Sequence, residues 1–371
     1  MFILDLTKLK EAVKKIALDS GAKLVGIGSQ DRLKDAPPSG DMNFCLDGAK
    51  SCIIWAYPNS YEDLKNYFSK KERMSFKKHQ YFAYSTSWTS AIKIADFIEK
   101  NTNFKAVPVI PNGKYRKVGS FSNLFVGNNA FPDFSLRYGA VAAGLGHLGW
   151  SGNLVTKEYG GSLYLAGALT TAPLEPDPMA KENNCNRCKI CARACSTGFF
   201  SMDEEEDPVF IGGSKEVYAK RNNFIRCAIG CAGWTGLSED GTWTTWTPGH
   251  ISLKKIPEKD IQNTEFVQNL MKKLFTSKET PKIQRKFNKK ILTSFAKVGL
   301  VENVGLRSLE DTNPRCGFCS AICVADPKKR AELYKLLKAS GKLYIDENGK
   351  EYVKKIDNSG KKIISNPPIE I

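Results

Sequence analysis

Cys185-Asn-Arg-Cys188-Lys-Ile-Cys191-Ala-Arg-Ala-Cys195-Ser196 is the stretch from which the rest of this chain is read. Three thiols at two-residue intervals on a tight loop can turn their sulfur atoms toward one iron–sulfur cube, while a fourth, three residues on, begins a helix and points to another. The pattern therefore demands a second thiol group, and Cys316-x2-Cys319-x3-Cys323 supplies it. By the crossed logic of two-cluster ferredoxins, Cys185, Cys188, Cys191 and Cys323 are the expected ligands of a first 4Fe–4S cluster, and Cys195, Cys316 and Cys319 hold three irons of a second. The eighth ligand must come from Cys227 or Cys231 in the segment IRCAIGC at 225–231. Cys227 is the expected one, because an Arg-Cys step at the start of such a segment suits a ligand approaching from outside. Structural zinc would want two separated cysteine pairs, for which a continuous three-thiol comb is a poor tetrahedral set. Ser196 stands where ferredoxin motifs usually carry proline, a residue that shapes the turn and ligates nothing.

Around that stretch the composition sets bounds. The chain has 371 residues, 42% hydrophobic, with 55 Lys and Arg against 39 Asp and Glu for a net charge of +16, and eleven cysteines. Such a chain can bury a full core, so disorder and a disulfide-stapled miniprotein are both excluded. The richest apolar run, from Ser162 to Ala172, stops after about ten residues, where a membrane span needs about twenty. Lys8, Lys10 and Glu11 interrupt what would be the apolar core of a signal peptide, and no Arg-Arg pair occurs. The expected location is the cytoplasm, where thiols stay reduced and metal binding or catalysis is the better use for cysteine. The charge is uneven: between Ile251 and Leu300 there are 12 Lys and Arg against 4 Asp and Glu. That run reads as a solvated helix pair broken at Pro281, without aromatic interleaving.

Ahead of the cysteines, apolar residues at helical spacing (Leu6, Leu9, Val13, Ile16) lead into a strand at 24–29. A second strand lies in GAKSCIIWAYP at 48–58, and a helix from about Ser90 to Lys100 precedes a third at 106–111. A further helix at about 135–143, a glycine-dense loop and a strand at 162–174 complete the alternation, which predicts an α/β layer. Periodicity ends in EPDPMAKENN, so a boundary is expected near 175–183. Cys52 reads as a small core residue, and Cys45 is left over. Gly144-Leu-Gly146-His-Leu-Gly149 matches a dinucleotide fingerprint, but the AVAA before it is helical and no acidic residue follows at the ribose position. These glycines mean that backbone passes close to something large and flat, or to another backbone.

The segment AVAAGLGHLGWSGNLVTKEYG at 140–160, then LTTAPLEPDP, the Cys185 comb and RCGFCSAIC at 315–323, resembles the cobalamin- and iron–sulfur-dependent reductases, namely reductive dehalogenases and epoxyqueuosine reductases. GAKSCIIWAYP is similar to the first conserved strand of that superfamily, and together the motifs cover about residues 5–330. The resemblance implies an α/β architecture: a nitroreductase-like corrinoid-binding domain at 1–178, then a ferredoxin-like domain with two 4Fe–4S clusters at 179–330. An insert rich in Trp and Lys spans 232–310, and 331–371 is a C-terminal extension.

It further implies a base-off cobalamin packed against Gly144, Gly146, Gly149 and Gly152, with His147 beside it. The lower-ligand motif Asp-x-His-x-x-Gly is absent at His79, His147 and His250. Trp243 and Trp246, clustered with Trp234 on a loop, are candidates for an apolar channel or lid over the cofactor. Arg137 and Tyr138 are the candidate proton-donor pair, since a cation stabilises the phenolate that donation leaves. The position where epoxyqueuosine reductases carry a donor Asp falls near Ala130, with Asp133 the nearest acid; Leu163 and Tyr164 stand where dehalogenases carry a basic residue. The reading drawn from this is a soluble reductase of the dehalogenase-like branch, fed by a low-potential ferredoxin or flavodoxin and acting on a small molecule. The alternatives are an epoxyqueuosine reductase acting on tRNA, and a non-catalytic electron-transfer or corrinoid-reducing protein.

Overall fold

In the computed structural model the described residues are 5–109, 132–276, 278, 280–290, 315–356, 360 and 362–366. Helix α1 (Leu6–Asp19) starts where the Asp5 carboxylate accepts from the Lys8 N–H at 2.8 Å, and it buries Leu9, Val13 and Ala17 at four-residue spacing. Strands β1 (Leu24–Ser29) and β2 (Ser51–Pro58) follow, and the chain crosses over through α2 (Tyr61–Phe68) and α3 (Met74–Asn101) to β3 (Ala106–Val109). Helix α4 (Leu136–Ala142) leads to a short hairpin of β4 (His147–Leu148) and β5 (Leu154–Val155), and β6 (Leu163–Thr170) returns.

The sheet order is β1-β2-β6-β3 and every pairing is antiparallel. The alternation of helices and strands predicted an α/β layer, and helices and a sheet are what form. It did not reveal that β6, from far along the chain, inserts between β2 and β3. Seven of the eight residues of β2 are buried because both faces of the sheet are covered. On one face Ile53 and Trp55 pack with Leu9 and Val13 of α1 and Ile94 and Ile98 of α3. On the other, Cys52 and Ile54 pack with Ala140 and Val141 of α4.

No regular element is formed between β6 and α5 (Ile190–Arg193), as the loss of periodicity after Leu174 implied. This connector is nevertheless pinned: the Asp177 carboxylate meets Lys10 at 2.9 Å and Lys14 at 2.6 Å and accepts from the Ile27 N–H at 2.8 Å. Beyond it come β7 (Phe200–Glu205), β8 (Val209–Ile211), β9 (Ser214–Glu216) and β10 (Ala219–Arg221), then α6 (Phe224–Ala232), α7 (Glu258–Gln262) and α8 (Thr264–Phe275). Residues 282–290 form helix α9, which begins just after Pro281 as its ring dictates. Helices α10 (Phe318–Ala321) and α11 (Pro327–Lys338) precede an antiparallel sheet of β11 (Lys342–Ile345), β12 (Glu351–Ile356) and β13 (Lys362–Ser365). One core joins Tyr67, Phe68 and Phe76 of α2 and α3 to Trp150, Trp246, Phe318, Leu337, Leu343 and Val353. Among the described residues no helix is long and apolar enough to cross a membrane.

Candidate redox site

The comb loop is built by backbone. Arg187 and Lys189 adopt φ of 53° and 58°, left-handed conformations that let consecutive cysteines face inward in so short a space. Asn183 and Asn186 hold the turns by accepting from the N–H groups of Cys185 at 2.9 Å and Cys188 at 3.4 Å. Burial pushes the Cys191 thiol up to about 12, and Cys323, Cys185 and Cys188 stand near enough to add to the rise. Cys323 is likewise raised by burial and by Cys185 and Cys188, against the lowering influence of Arg330. The late cysteine therefore folds back onto the comb, seated where the Gly161 N–H donates to the Cys323 carbonyl at 2.6 Å.

The second group assembles the same way. Cys319 is raised by burial, with Cys195, Cys316 and Cys191 adding. Cys316 is raised foremost by its hydrogen bond with Cys231. Cys231 in turn contacts Cys227, 3.6 Å away sulfur to sulfur, and has Cys319 nearby. The expected eighth member was Cys227; the structure puts Cys231 between Cys227 and Cys316. One helical turn separates the two on α6, so only the docking of that helix decides which thiol meets the others.

Hydrogen-bond donors are aimed at these sulfurs. The Trp150 N–H points at Cys185 Sγ at 3.4 Å, the Phe199 N–H at Cys195 Sγ at 3.4 Å, and Asn153 Nδ2 at Cys319 Sγ at 3.9 Å. Arg330, only 3% exposed, donates to Cys188 Sγ at 3.2 Å and to the carbonyls of Val324 and Ala325. Its fourth partner is Asn186 Oδ1 at 3.0 Å, so the described residues give this buried cation no carboxylate. A buried guanidinium needs negative charge nearby, and of its partners Cys188 Sγ is the one that could supply it. Nothing in the spacing of Arg330 marked it in advance. Among the described residues no group of three or more His, Cys, Asp or Glu is placed to hold a single metal ion. A cube of four irons takes its ligands at its outer corners, so its thiols stand wider apart.

The glycine loop meets protein. A Cβ at Gly144, whose φ is 75°, would lie 2.0 Å from the Pro178 carbonyl oxygen; at Gly146 it would lie 2.2 Å from that of Val155. At Gly149 the obstacle is Val155 Cγ2 at 2.5 Å, with Cys185 Sγ at 3.4 Å, and at Gly152 it is the Arg221 guanidinium at 2.1 Å. Another backbone explains Gly144 and Gly146 and side chains explain Gly149 and Gly152, so the Cβ side of each of these four glycines is packed against this chain's own atoms.

Both ring nitrogens of His147 face acceptors: Nδ1 lies 2.7 Å from Glu216 Oε1 and Nε2 lies 3.0 Å from the Ala180 carbonyl. Only the imidazolium can donate at both, and the hydrogen bond to Glu216 holds the His147 pKa above its usual value despite burial. Burial would raise the Glu216 carboxyl, but donors at His147, the Leu148 N–H and Ser214 hold it below the usual range. His147 thus fastens the loop to β9 and the connector.

Arg137 donates to the Gly152 carbonyl at 2.8 Å, and Tyr138, 8% exposed, lies in the core with its hydroxyl against Tyr218. Trp243 and Trp246 are 4% and 1% exposed and pack around Phe318 and Tyr67, with Trp246 Nε1 donating to the Tyr67 carbonyl at 3.0 Å. They are anchors of the core beside α10; Trp246 forms no lid, and Trp243 shows only an edge to a surface cleft of 290 Å³ that also borders Cys195 and Lys254. Trp234 is buried against Phe275. The position near Ala130 lies outside the described residues.

With this geometry in hand, known proteins can be set beside it. No family model matches the chain. A curated relative from Synechococcus named epoxyqueuosine reductase is 43% identical over 150 residues, covering 36% of this chain and 41% of the relative. Another so named, from Listeria monocytogenes, is 42% identical over 69 residues, covering 19% of this chain and 18% of that one.

The resemblance is to the cobalamin- and iron–sulfur-dependent reductases.

The chain therefore spans well under half of the length of these curated reductases. Among solved structures, an epoxyqueuosine reductase with a tRNA stem loop aligns at a TM-score of 0.33 and 19% identity over 53% of each chain. A catabolic reductive dehalogenase aligns at 0.43 and 17% identity, over 81% of this chain and 38% of that one.

Proposed function

We propose that this chain is a two-cluster iron–sulfur oxidoreductase whose reaction is of the epoxyqueuosine reductase type: two electrons and two protons delivered to the epoxide of a modified RNA nucleoside, breaking both carbon–oxygen bonds, leaving a carbon–carbon double bond and releasing the oxygen as water. The observation that carries the redox reading is the crossed meeting of thiols, Cys323 with the 185–191 comb and Cys195 with Cys316 and Cys319. In this reading Cys185, Cys188, Cys191 and Cys323 hold one 4Fe–4S cluster, and Cys195, Cys231, Cys316 and Cys319 hold the other. Residues 179–330 form the electron-carrying unit ahead of the extension at 331–371, and residues 1–178 form the unit that receives its electrons.

The residues fit clusters. The crowded thiols of Cys191, Cys231, Cys316, Cys319 and Cys323 resist losing protons to water, and bound iron is what would ionise them. The N–H donors at Trp150, Phe199 and Asn153 would then stabilise the thiolates, and Arg330 would offset the charge of the first group. Cys191 of one group lies near Cys319 of the other, so an electron entering either side has a short path across. A small low-potential carrier, a ferredoxin or flavodoxin, would supply the electrons.

Cobalamin supplies the substrate-reducing chemistry in the superfamily that the motifs resemble. The residues that the sequence offered to it, the glycine loop with His147, Trp243 and Trp246, are all engaged by protein. No step is assigned through it here. The sequence favoured the dehalogenase-like branch; the names of the curated relatives move the reading to the epoxyqueuosine branch. The test is anaerobic purification with iron, sulfide and cobalt quantitation after corrinoid is added, followed by turnover of epoxide-bearing RNA against a halogenated phenol. About eight irons per chain with RNA turnover supports the reading. Zinc in place of iron, or turnover of the phenol alone, overturns it.

A further inference from the structure

The C-terminal sheet turns one face inward, where Leu343 and Val353 are 0% and 1% exposed in the core beneath it. The other face has a different chemistry. Tyr344 of β11 lies directly opposite Tyr352 of β12, and their rings stack with centroids 5.5 Å apart and planes 18° from parallel. On the same face Lys342 pairs with Lys354, whose ammonium sits 4.5 Å and 5.2 Å from the two ring centroids. Lys362 of β13 extends the row beside Ile356, and Ile356 and Ile364 are 75% and 59% exposed. The strand residues on this face include no acid. Asp346, in the turn of the β11–β12 hairpin, is used there, accepting from the N–H groups of Asn348 and Lys350.

A second basic element adjoins this sheet. Helix α9 carries five Lys and Arg and no acid. Its Phe287 lies under the Arg315 guanidinium at 4.7 Å, and Arg315 pairs with Glu351, the first residue of β12, at 2.6 Å.

We propose that the outward face of β11–β13 binds unpaired RNA, an inference that rests on the RNA-substrate reading above and gives that substrate a docking surface. Stacked rings offer planes to bases whatever their identity, and flanking ammoniums take the phosphates. Lys354 is on a flexible stem, so it can leave the rings for a phosphate as a base moves onto them. Charge complementarity selects a polyanion, and the two rings select one with planar, unpaired groups.

The experiment uses the full chain and a fluorescein-labelled RNA hairpin with a pyrimidine-rich loop, followed by anisotropy across a salt series. Tyr352→Leu should weaken binding about tenfold, while Tyr352→Phe, which keeps the ring, should bind as the parent does. Lys362→Gln should reduce the slope of log affinity against log salt by about one. If Tyr352→Leu disturbs folding by circular dichroism, half-buried Lys342→Gln together with exposed Lys362→Gln carries the test. Unchanged binding in these variants overturns the proposal. So does equal affinity for a fully paired duplex or for polyglutamate, the latter pointing to an acidic protein partner. Iron-loaded protein that ignores the hairpin sinks this surface alone, whereas hairpin binding here by a chain that takes up no iron sinks the redox reading.

Discussion

Arg330 shows how far one side chain can bias the chemistry around it. A guanidinium that is buried against Cys188, with no carboxylate partner among the described residues, favours the more negative, reduced state of whatever the thiols hold. Arg330→Gln is therefore expected to lower the potential of one cluster on the order of 50 mV, since ~59 mV is tenfold for a one-electron couple. Potentiometric titration followed by electron paramagnetic resonance would read this, with iron content unchanged. The two thiols of α6 give a second residue-scale prediction. Cys231→Ser should cost about half of the bound iron, whereas Cys227→Ser should keep it all, as measured by iron and sulfide assay. Equal losses would mean that the contact of Cys231 with Cys316 is not the ligating one.

At the scale of elements, the glycine loop is a joint. Gly144 lies against the connector at Pro178, Gly146 against β5, and His147 ties β4 to Glu216 of β9. Gly144→Ala combines a positive φ with a 2.0 Å approach to a carbonyl oxygen, and it should destabilise by at least ~2 kcal/mol in denaturant titration. The His147 pKa is raised on folding, so the pair contributes fully below the unfolded value of about 6.5 and its contribution fades as pH climbs through the folded value. Glu216 is lowered on folding, so its share is present above its unfolded value and lost as pH falls through the folded one. Thermal melts should therefore show stability decreasing from pH 6 toward pH 9, and His147→Gln should flatten that slope. A parent protein whose melting temperature holds level across the range would remove the imidazolium from this account.

For the whole molecule, the core that joins α2 and α3 to Phe318, Trp246 and the C-terminal sheet means that the thiol groups are not a detachable module. Lengthy connectors leave the N-terminal layer, yet Asp177 is locked to Lys10 and Lys14 of the first helix. Substituting Asp177→Asn should strand two lysines, remove the charged acceptor for the Ile27 N–H and loosen the connector. Hydrogen exchange would report this as faster exchange in residues 171–189.

The sequence by itself marked the two thiol groups, gave the expectation of their crossed partnership and placed several elements of the N-terminal layer, because ligand spacing, prolines and apolar periods are local properties. Strands 24–29 and 51–58 and the break before α9 are read from such signals, and the sequence also demanded close packing at the glycines. Only the tertiary structure decided what filled that space: Pro178 and Val155, residues that no periodicity links to the loop. It also put Cys231 between Cys227 and Cys316, inserted β6 into an antiparallel sheet, buried Trp243 and Trp246, and stacked Tyr344 on Tyr352. Each of these depends on which surfaces meet, and that is fixed by the burial of apolar area across the whole chain, a sum that no short stretch of sequence contains.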